Sequence, residues 1–395
     1  MDEWLSIIGI GEDGLAGLSD ASRDALERAE TVFGGPRHLA MVDHPDRRPW
    51  PVPFSVAPVL ELRGRPVAVL ASGDPFWHGA GGSLAAALEP HEWRAFPAPS
   101  VVSLAAARLG WRLDDALALG LHAAPIARLR PHLAPGRRII LTLRDGGSVA
   151  DLTAFLVAEG FGQSRLWVME ALGGPQERIR EIRAADVLEG GAPGPLVAVA
   201  LDVEGPGPVI PRASGISDDF FDHDGQITKR ETRALALSAL APRGGELLWD
   251  IGAGSGSVGI EWLLADPQNR AIGIERDPAR ATRARDNAAR FGLGSRYRLC
   301  NGAALDMVAT LPAPQAVFIG GGAREALLRV LWEVLPAGCR LVAHAVTLET
   351  ESLLAAWHGT CGGSLLRIEL SRAAPLGRRH GWRAGYPVVQ WSITR

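Results

Sequence analysis

Short apolar runs that end in glycine-rich or polar turns recur along the chain, and stretches with helical spacing separate many of them. The clearest runs cover residues 5–10, 66–72, 246–251, 270–275 and 316–319. Strands that alternate with helices in this way predict mostly parallel sheets, whose ligands bind beyond the carboxyl ends of the strands. We therefore expect an α/β protein, with candidate sites in the turns that follow the apolar runs.

The run at 246–251 leads into three glycines at alternate positions and then into a helical pattern that begins near Ser257. These glycines are Gly252, Gly254 and Gly256. Glycine lets the backbone approach a ligand closely, and the start of a helix offers free N–H groups. A strand, a tight turn and a helix start in this order are typical of a nucleotide-binding unit, although an ordinary strand–helix connection can have the same sequence.

Two carboxylates narrow the choice of ligand for this turn. Glu275 ends the next predicted strand, nineteen residues after Gly256, where an acid can accept hydrogen bonds from both ribose hydroxyls. Asp250, at the end of the first strand, fits a positively charged ligand better than a pyrophosphate. S-adenosylmethionine carries a sulfonium and an amino group but no phosphate, so the pattern favours it over NAD, which stays an alternative.

Two glycine-rich turns in the first half, with a serine-containing loop after them, resemble the signatures of the tetrapyrrole (corrin/porphyrin) methylase family. They are Ile8-Gly9-Ile10-Gly11 with Asp13, Ser72-Gly73-Asp74-Pro75, and the loop with Ser100 and Ser103. The resemblance spans most of residues 4–204 and implies a two-lobed α/β fold. It also implies that the Ser-Gly-Asp-Pro loop and the serine loop hold S-adenosylmethionine, while Gly9, Gly11 and Asp13 face the tetrapyrrole. His122 stands where many relatives have a His-Gly-Arg sequence, which this chain does not keep.

The second half, 209–395, resembles the decarboxylating precorrin methyltransferase domain of cobalamin biosynthesis, which has a Rossmann-like class I methyltransferase fold. The resemblance rests on Thr228-Lys229-Arg230-Glu231, on 249–257, on 318–322 and on Gln390-Trp391-Ser392. The first of these sequences predicts a helix that starts at Thr228 with a capping box. Residues 215–231 either form only a capped helix start with a solvated basic turn or cover the active site.

Further candidate residues in this half follow from the resemblance and from residue chemistry. The loop that reads adenine in class I methyltransferases has Asn301, Gly302 and Ala303 here in place of an acid, so an amide or backbone groups would read the base. Gly320, Gly321 and Gly322 permit close approach by a large flat ligand, or form only a flexible loop. We expect Lys229 and Arg230 to contact substrate carboxylates and Thr228 to bind the substrate. His223 and His344 are candidate proton-handling groups.

A tetrapyrrole methylase followed by a decarboxylating methyltransferase implies one bifunctional enzyme. The resemblance implies methylation of two meso carbons, C-5 and C-15, of a precorrin-6Y-type tetrapyrrole, with loss of the ring C acetate carboxyl and S-adenosylmethionine as donor. No metal is implied. The alternatives are an RNA or protein methyltransferase, a chain whose first domain is only a scaffold or carrier, and an NAD enzyme.

Composition limits these possibilities. A chain of 395 residues with 47% hydrophobic and 22% charged residues is long enough for two or three globular domains, and 204–208 has the composition of a linker. We therefore predict domains at 1–207 and 208–395. A formal net charge of −3 does not suggest nucleic-acid binding, and three scattered cysteines fit free thiols in the cytoplasm. We expect no signal peptide and no membrane span, and a homo-oligomer is possible. Only one of the 41 Lys and Arg residues is a lysine, Lys229, which indicates either a chemical role for it or chance survival in a chain biased toward arginine.

Overall fold

The computed structural model describes residues 3–395 and divides the chain into two compact units. The first contains residues up to 126 together with 133–208, and the second contains 127–132 together with 209–395. The change between units after residue 208 lies one residue from the predicted domain limit. The short segment 127–132 was not expected in the second unit, because it lies far along the chain from the rest of that unit.

The first unit contains two five-stranded sheets. The first sheet is entirely parallel, in the order β3-β2-β4-β1-β5. Its strands are β1 (Leu5–Ile10), β2 (Thr31–Gly34), β3 (Arg47–Pro49), β4 (Val67–Ser72) and β5 (Trp93–Phe96). The accompanying helices are α1 (Asp20–Glu27), α2 (Pro36–Leu39), α3 (Ala57–Leu60), α4 (Gly81–Ala85) and α5 (Val101–Leu109). The three central strands, β2, β4 and β1, are buried almost throughout and read as continuous apolar runs, whereas β3 at one edge is exposed.

The second sheet of this unit differs from the expected mostly parallel arrangement. Its order is β6-β7-β10-β8-β9, and only the β6–β7 pair is parallel. The strands are β6 (Ala116–Gly120), β7 (Arg138–Thr142), β8 (Arg165–Glu170), β9 (Arg178–Arg183) and β10 (Val197–Asp202), and one helix, α6 (Ser148–Ala158), accompanies them. The sequence did not predict β9, because its arginines and glutamate leave an exposed edge strand with little apolar signal.

The second unit has one seven-stranded sheet, in the order β13-β12-β11-β14-β15-β19-β16. Its strands are β11 (Leu247–Ile251), β12 (Arg270–Glu275), β13 (Tyr297–Asn301), β14 (Ala316–Ile319), β15 (Arg340–Ala345), β16 (Ser364–Ile368) and β19 (Val388–Thr394). The strands from β13 to β15 are parallel, and β19 runs antiparallel between β15 and β16. This is the predicted Rossmann-like arrangement, with β11 at the point where the strand order reverses.

Helices cover both faces of this sheet, and a separate hairpin extends from it. The helices are α7 (Arg230–Leu240), α8 (Ser257–Ala265), α9 (Pro278–Arg290), α10 (Ala304–Met307), α11 (Glu325–Val334) and α12 (Leu348–Cys361), and the hairpin is β17 (Ser371–Leu376) with β18 (Arg379–Ala384). Trp249 and Trp391 are almost completely buried on one face of the sheet, and Trp262 packs on the other. No helix within residues 3–395 is long and apolar enough to cross a membrane.

The capping box predicted at Thr228 is wrong. Helix α7 begins at Arg230, its N-cap is Lys229, and no side chain caps it. The Thr228 carbonyl instead accepts a hydrogen bond from the Arg233 guanidinium, which fixes the chain before the helix starts.

Candidate functional site

The glycine-rich turn after β11 has the backbone conformation that the sequence predicted. Gly252, Gly254 and Gly256 have φ angles of 71°, 57° and 76°, in the left-handed region that favours glycine. Gly256 is the N-cap of α8, and Ser257 is the first residue of that helix. The turn therefore presents backbone N–H groups at a helix start, directly beyond the carboxyl end of the central strand.

Asp250 lies beneath this turn rather than on its ligand side. Its side chain is 1% exposed, and Oδ2 accepts hydrogen bonds from the Gly259 N–H at 3.0 Å and the Tyr297 hydroxyl at 2.6 Å. Burial raises the pKa of Asp250 to about 6, and the negative charge of Glu275 contributes in the same direction. This geometry does not provide the expected direct contact between Asp250 and a cationic ligand. Asp250 instead joins β11, α8 and β13, and so positions the turn.

Glu275 supports the turn from the end of β12. Its Oε2 accepts from the Gly254 N–H and its Oε1 from the Asp277 N–H, both at 2.9 Å, and the residue is 8% exposed. A carboxylate oxygen has two lone pairs, so each oxygen keeps the capacity to accept one more hydrogen bond. Glu275 is therefore placed beside the glycine turn with acceptors that ribose hydroxyls could use.

The loop after β13 follows the same carboxyl edge of the sheet. Asn301 donates through Nδ2 to the carbonyls of Glu275 at 2.9 Å and Arg276 at 3.2 Å, and the Gly302 N–H donates to the Glu275 carbonyl. Because the amide nitrogen is engaged, an adenine amino group would have to be read by the amide oxygen of Asn301. Ala303 is the N-cap of α10 and has no polar side chain to offer.

The three glycines after β14 lie next to the turn after β11. The Gly320 N–H donates to the Ile251 carbonyl, and a Cβ placed on Gly252 would lie 3.3 Å from the Gly321 carbonyl oxygen. Gly321 and Gly322 are exposed. The two glycine-rich turns thus form one continuous rim at the switch point of the sheet.

A buried ion pair holds the segment that precedes α7. Arg233 is 0% and Glu261 is 5% exposed, and Arg233 Nε donates to Glu261 Oε1 at 2.5 Å. The remaining Glu261 oxygen accepts from the Gly215 N–H at 2.7 Å, and Arg233 also donates to Asp218 Oδ1 at 3.1 Å. A single sequence gives no sign that this arginine is buried. The network fixes residues 215–218 against α7 and α8.

A second buried side chain ties this segment to the glycine turn itself. Asn287 of α9 exchanges hydrogen bonds with the backbone of Asp222 and donates to the Ser255 carbonyl, all at 2.9 Å. Near it, the Gln226 carbonyl lies 3.8 Å from the position of a Cβ on Gly254. Residues 215–229, which belong to the segment predicted to cover the active site, therefore lie next to the glycine turn after β11.

The residues of this segment that were predicted to contact the substrate differ in how exposed their side chains are. Lys229 Nζ lies 3.7 Å from Asp218 Oδ2, and its side chain is 51% exposed. Arg230 is exposed, and Thr228 and His223 are half-buried. His223 accepts the Gly225 N–H at Nδ1. Lys229 and Arg230 can therefore reach a carboxylate outside the protein surface.

His344 does not suit the proton-handling role expected for it. It is 3% exposed, its Nε2 bonds to Gln390 Oε1 at 2.9 Å, and its ring contacts Phe318 edge to face at 5.0 Å. Burial lowers the pKa of His344, so the ring stays neutral at physiological pH. The structure assigns it a packing role in the core.

In the first unit, a cavity of about 360 Å³ lies between the two sheets, beyond the carboxyl ends of β1 and β4. Gly11, Ser72, Gly73 and Ser100 line it, in agreement with the location predicted for a ligand. Residues that the sequence did not single out also line it, among them Glu12, Arg37, His78, Thr142 and Arg144. Glu12 and His78 lie within or directly after the glycine-rich turns singled out in the sequence, whereas Arg37, Thr142 and Arg144 lie far from them along the chain, so no local motif could reveal these three.

Several of the predicted residues shape this cavity without lining it. A Cβ on Gly9 would lie 1.9 Å from the Gly73 carbonyl oxygen, so Gly9 permits close packing of β1 against the next loop. Asp74 Oδ1 accepts the Phe76 N–H at 2.9 Å, and Pro75 directs its carbonyl toward Gly79 and Gly81. Asp74 and Pro75 therefore form the turn that follows β4.

Two further predicted residues have clear local functions. The Asp13 carboxylate fills the space beside Gly11 and Gly17, where a Cβ on Gly17 would lie 2.1 Å from Oδ2. Ser100 caps α5 by accepting the Ser103 N–H at 3.1 Å, and the two hydroxyls lie 3.0 Å apart.

Arg37 and His38 place polar side chains at the edge of the cavity. Arg37 forms an ion pair with Glu12 and donates to Ser72 Oγ at 2.7 Å, and His38 Nε2 lies 2.9 Å from the same oxygen. Burial, and then the neighbouring Arg37 charge, lower the pKa of His38 to about 4, so its ring is neutral near pH 7. Ser72 Oγ thus contacts two side chains of α2, those of Arg37 and His38.

Comparisons with known proteins identify similar sequences for both units. A family model described as tetrapyrrole (corrin/porphyrin) methylases matches residues 5–188, and one described as a precorrin methyltransferase domain matches 219–395. A "Precorrin-6Y C(5,15)-methyltransferase [decarboxylating]" from Sinorhizobium sp is 49% identical over 401 residues, which cover 99% of this chain and 96% of the relative. One of the same name from Mycobacterium tuberculosis is 39% identical, over 98% of this chain and 99% of the relative.

A shorter relative matches only part of the chain. A "Probable cobalt-precorrin-6B C(15)-methyltransferase (decarboxylating)" from Saccharolobus solfataricus is 37% identical over 148 residues, which cover 36% of this chain and 73% of the relative.

Proposed function

We propose that this chain, which belongs to the family of decarboxylating precorrin-6Y C(5,15)-methyltransferases, methylates C-5 and C-15 of a precorrin-6Y-type tetrapyrrole. It also removes the carboxyl of the ring C acetate, as part of cobalamin (vitamin B12) biosynthesis. The observation that carries the proposal is the presence of two separate sites, one at the switch point of the seven-stranded sheet and one in the cavity of the first unit.

The residues of the second unit fit S-adenosylmethionine, which supplies an electrophilic methyl group when bound. Glu275 offers acceptors for the ribose hydroxyls, Asn301 offers an amide oxygen for the adenine amino group, and the turn at Gly252–256 approaches the ligand with its backbone. In the first unit, Gly73, Ser72 and Ser100 border the space that a second molecule would fill.

Lys229 and Arg230 would hold substrate carboxylates, since both are exposed at the start of α7 next to the covering segment. This contact orients the macrocycle over the rim formed by the glycine turns. His223, half-buried in the same segment, is the remaining candidate for moving a proton during decarboxylation. Orientation and exclusion of water carry most of the rate, because the conjugated macrocycle is itself a carbon nucleophile.

We assign C-15 methylation and decarboxylation to the second unit and C-5 methylation to the first. The assignment is supported by the family model described as a precorrin methyltransferase domain, which matches residues 219–395, whereas the tetrapyrrole methylase model matches 5–188. The name of the short Saccharolobus relative combines C(15) methylation with decarboxylation in a protein that matches 36% of this chain, which supports placing both steps in one unit.

The test is the mass of the product formed from a precorrin-6Y-type tetrapyrrole and S-adenosylmethionine. We expect a gain of two methyl groups and the loss of one carboxyl. Glu275→Gln should abolish one methyl addition together with the carboxyl loss, whereas Glu333→Gln, an exposed position on α11, should change neither. An unchanged mass with intact substrate and donor would overturn the proposal, and methylation of RNA or protein by the same preparation would support the rival function.

A further inference from the structure

Two histidines from different sheets of the first unit meet at the wall of its cavity. His78 lies in the loop after β4, and His122 lies in the turn after β6. Their ring centroids are 5.4 Å apart at an interplanar angle of 77°, and both rings line the cavity. The same cavity wall contains Gly73 and Ser100, the residues expected at the methyl donor.

The protein is shaped locally to admit this pair. His78 has a φ of 57°, a left-handed conformation that is strained for a residue with a side chain and is often found at functional sites. Gly120 leaves the space that the ring needs, since a Cβ there would lie 2.6 Å from His78 Nε2. Trp77 packs edge to face against His78 at 4.7 Å. These contacts fix the position of His78, and His78 in turn supports the ring of His122.

His122 is held in a way that leaves one ring nitrogen for a substrate. Its Nδ1 lies 3.2 Å from the Thr142 hydroxyl at the end of β7, which orients the ring. Nε2 is then the atom that can accept a proton at the cavity. A second group that positions the imidazole in this way is the usual arrangement for a histidine that acts as a base.

We propose that His122 is the general base of the methyl transfer in the first unit, and that His78 is its positioning residue. The inference rests on the proposed function. As the methyl carbon–sulfur bond breaks, a bond forms between that carbon and a meso carbon of the tetrapyrrole, and the sulfonium becomes a neutral thioether. The macrocycle gains the positive charge and must lose a proton from a ring nitrogen. His122 Nε2 accepts this proton, and the resulting imidazolium releases it to solvent.

The other charged groups of the cavity are less suited to this step. Arg37 and Arg144 carry guanidiniums, which cannot accept a proton at neutral pH. Glu12 is a carboxylate, but it is paired with Arg37. His122 therefore stands out among these side chains as a proton acceptor, because histidine is the side chain that most often acts as a general base.

The test compares His122→Asn, His78→Asn and the control His91→Asn in the full chain, with the position of each new methyl assigned by NMR of the product. For His122→Asn we expect one methyl addition to slow by about 100-fold or more, because general base catalysis contributes 10²–10⁴-fold. The methyl addition and carboxyl loss of the second unit should keep their own rate constants, and His91→Asn, at an exposed position, should match the wild type. His78→Asn should slow the same methyl addition by a smaller factor.

Two readouts separate a base from a packing residue. Free imidazole should restore part of the rate to His122→Gly, and the ring resonances of His122 in protein labelled at histidine should shift when the tetrapyrrole is added without a methyl donor. Affinity for S-adenosylhomocysteine, measured by calorimetry, should stay unchanged in His122→Asn. Wild-type rates of both methyl additions in His122→Asn would overturn this inference and leave the function intact. Absence of any methyl gain in the wild-type enzyme would instead overturn the function.

Discussion

Replacing Asp250 with asparagine measures what the buried carboxylate beneath the glycine turn contributes. Asparagine has nearly the same shape, and its amide oxygen can still accept the hydrogen bonds from Gly259 and Tyr297. The substitution therefore removes the charge with little loss of packing. It separates a structural carboxylate from one that contacts a ligand.

The magnitude follows from the pKa of Asp250, which burial raises from 3.8 to about 6. Because the folded-state pKa lies above the unfolded value, the folded protein binds this proton more tightly. The contribution that protonated Asp250 makes to the free energy of unfolding is fully present below pH 3.8 and is lost as the pH rises through about 6. One pKa unit corresponds to about 1.4 kcal/mol, so the buried charge lowers the free energy of unfolding by roughly 3 kcal/mol at pH 8 and by roughly 1.5 kcal/mol at pH 5.

The assay is urea unfolding of the wild type and of Asp250→Asn at pH 5 and pH 8. The effects of other titrating groups cancel when the free energies of unfolding of the two proteins are subtracted. From pH 5 to pH 8, the free energy of unfolding of the variant should rise relative to that of the wild type by roughly 1.5 kcal/mol. The same difference at both pH values would refute the reasoning. Affinity for S-adenosylhomocysteine should change little in the variant, whereas a loss of about tenfold or more, equivalent to about 1.4 kcal/mol, would reinstate Asp250 as a ligand contact.

Three further substitutions or modifications test other parts of the second unit. Glu261→Gln leaves Arg233 buried with an incomplete charge partner and should lower the free energy of unfolding by about 3–5 kcal/mol, whereas Glu231→Gln, which breaks an exposed ion pair, should leave urea unfolding unchanged. Gly256→Ala forces a side chain into a left-handed conformation and places a Cβ 3.1 Å from a tyrosine ring. It should therefore destabilise the protein by about 1–2 kcal/mol and weaken binding of S-adenosylhomocysteine, as calorimetry would show. Cys339 is buried and its thiol pKa is raised to about 11, so it should be the last cysteine to react with iodoacetamide at pH 8, as followed by mass spectrometry of peptides.

The features predicted correctly were those that are local in the sequence. The strand, glycine turn and helix at 246–264 form one continuous piece of chain whose backbone requirements are visible in its glycines. The parallel sheets followed from apolar runs of the right length and spacing. The location of Glu275 at the end of the next strand was predicted for the same reason, because its distance from Gly256 is set by one helix and one strand.

The features that were missed or misassigned depend on contacts between distant residues. Asp250 was expected to face a ligand, but Tyr297, 47 residues later, binds its carboxylate inside the core. His344 looked like a reactive histidine, and only the pairing of β15 with β19 shows that Gln390 and Phe318 enclose it. Periodicity cannot reveal such pairs, because they are determined by the order of strands in the sheet.

Lys229 also has a practical consequence for labelling. It is the only lysine among 395 residues, and its side chain is 51% exposed at the start of α7. A reagent specific for primary amines can therefore modify only this side chain and the chain's α-amino group. At mildly acidic to neutral pH the α-amino group reacts first, since the ordinary pKa of such a group is about 8. Once it is blocked, the Lys229 side chain is the single remaining primary amine. A fluorophore attached there would sit beside the segment 215–229. Because it blocks the ammonium proposed to hold a substrate carboxylate, the labelled protein should bind the tetrapyrrole more weakly than the unlabelled one.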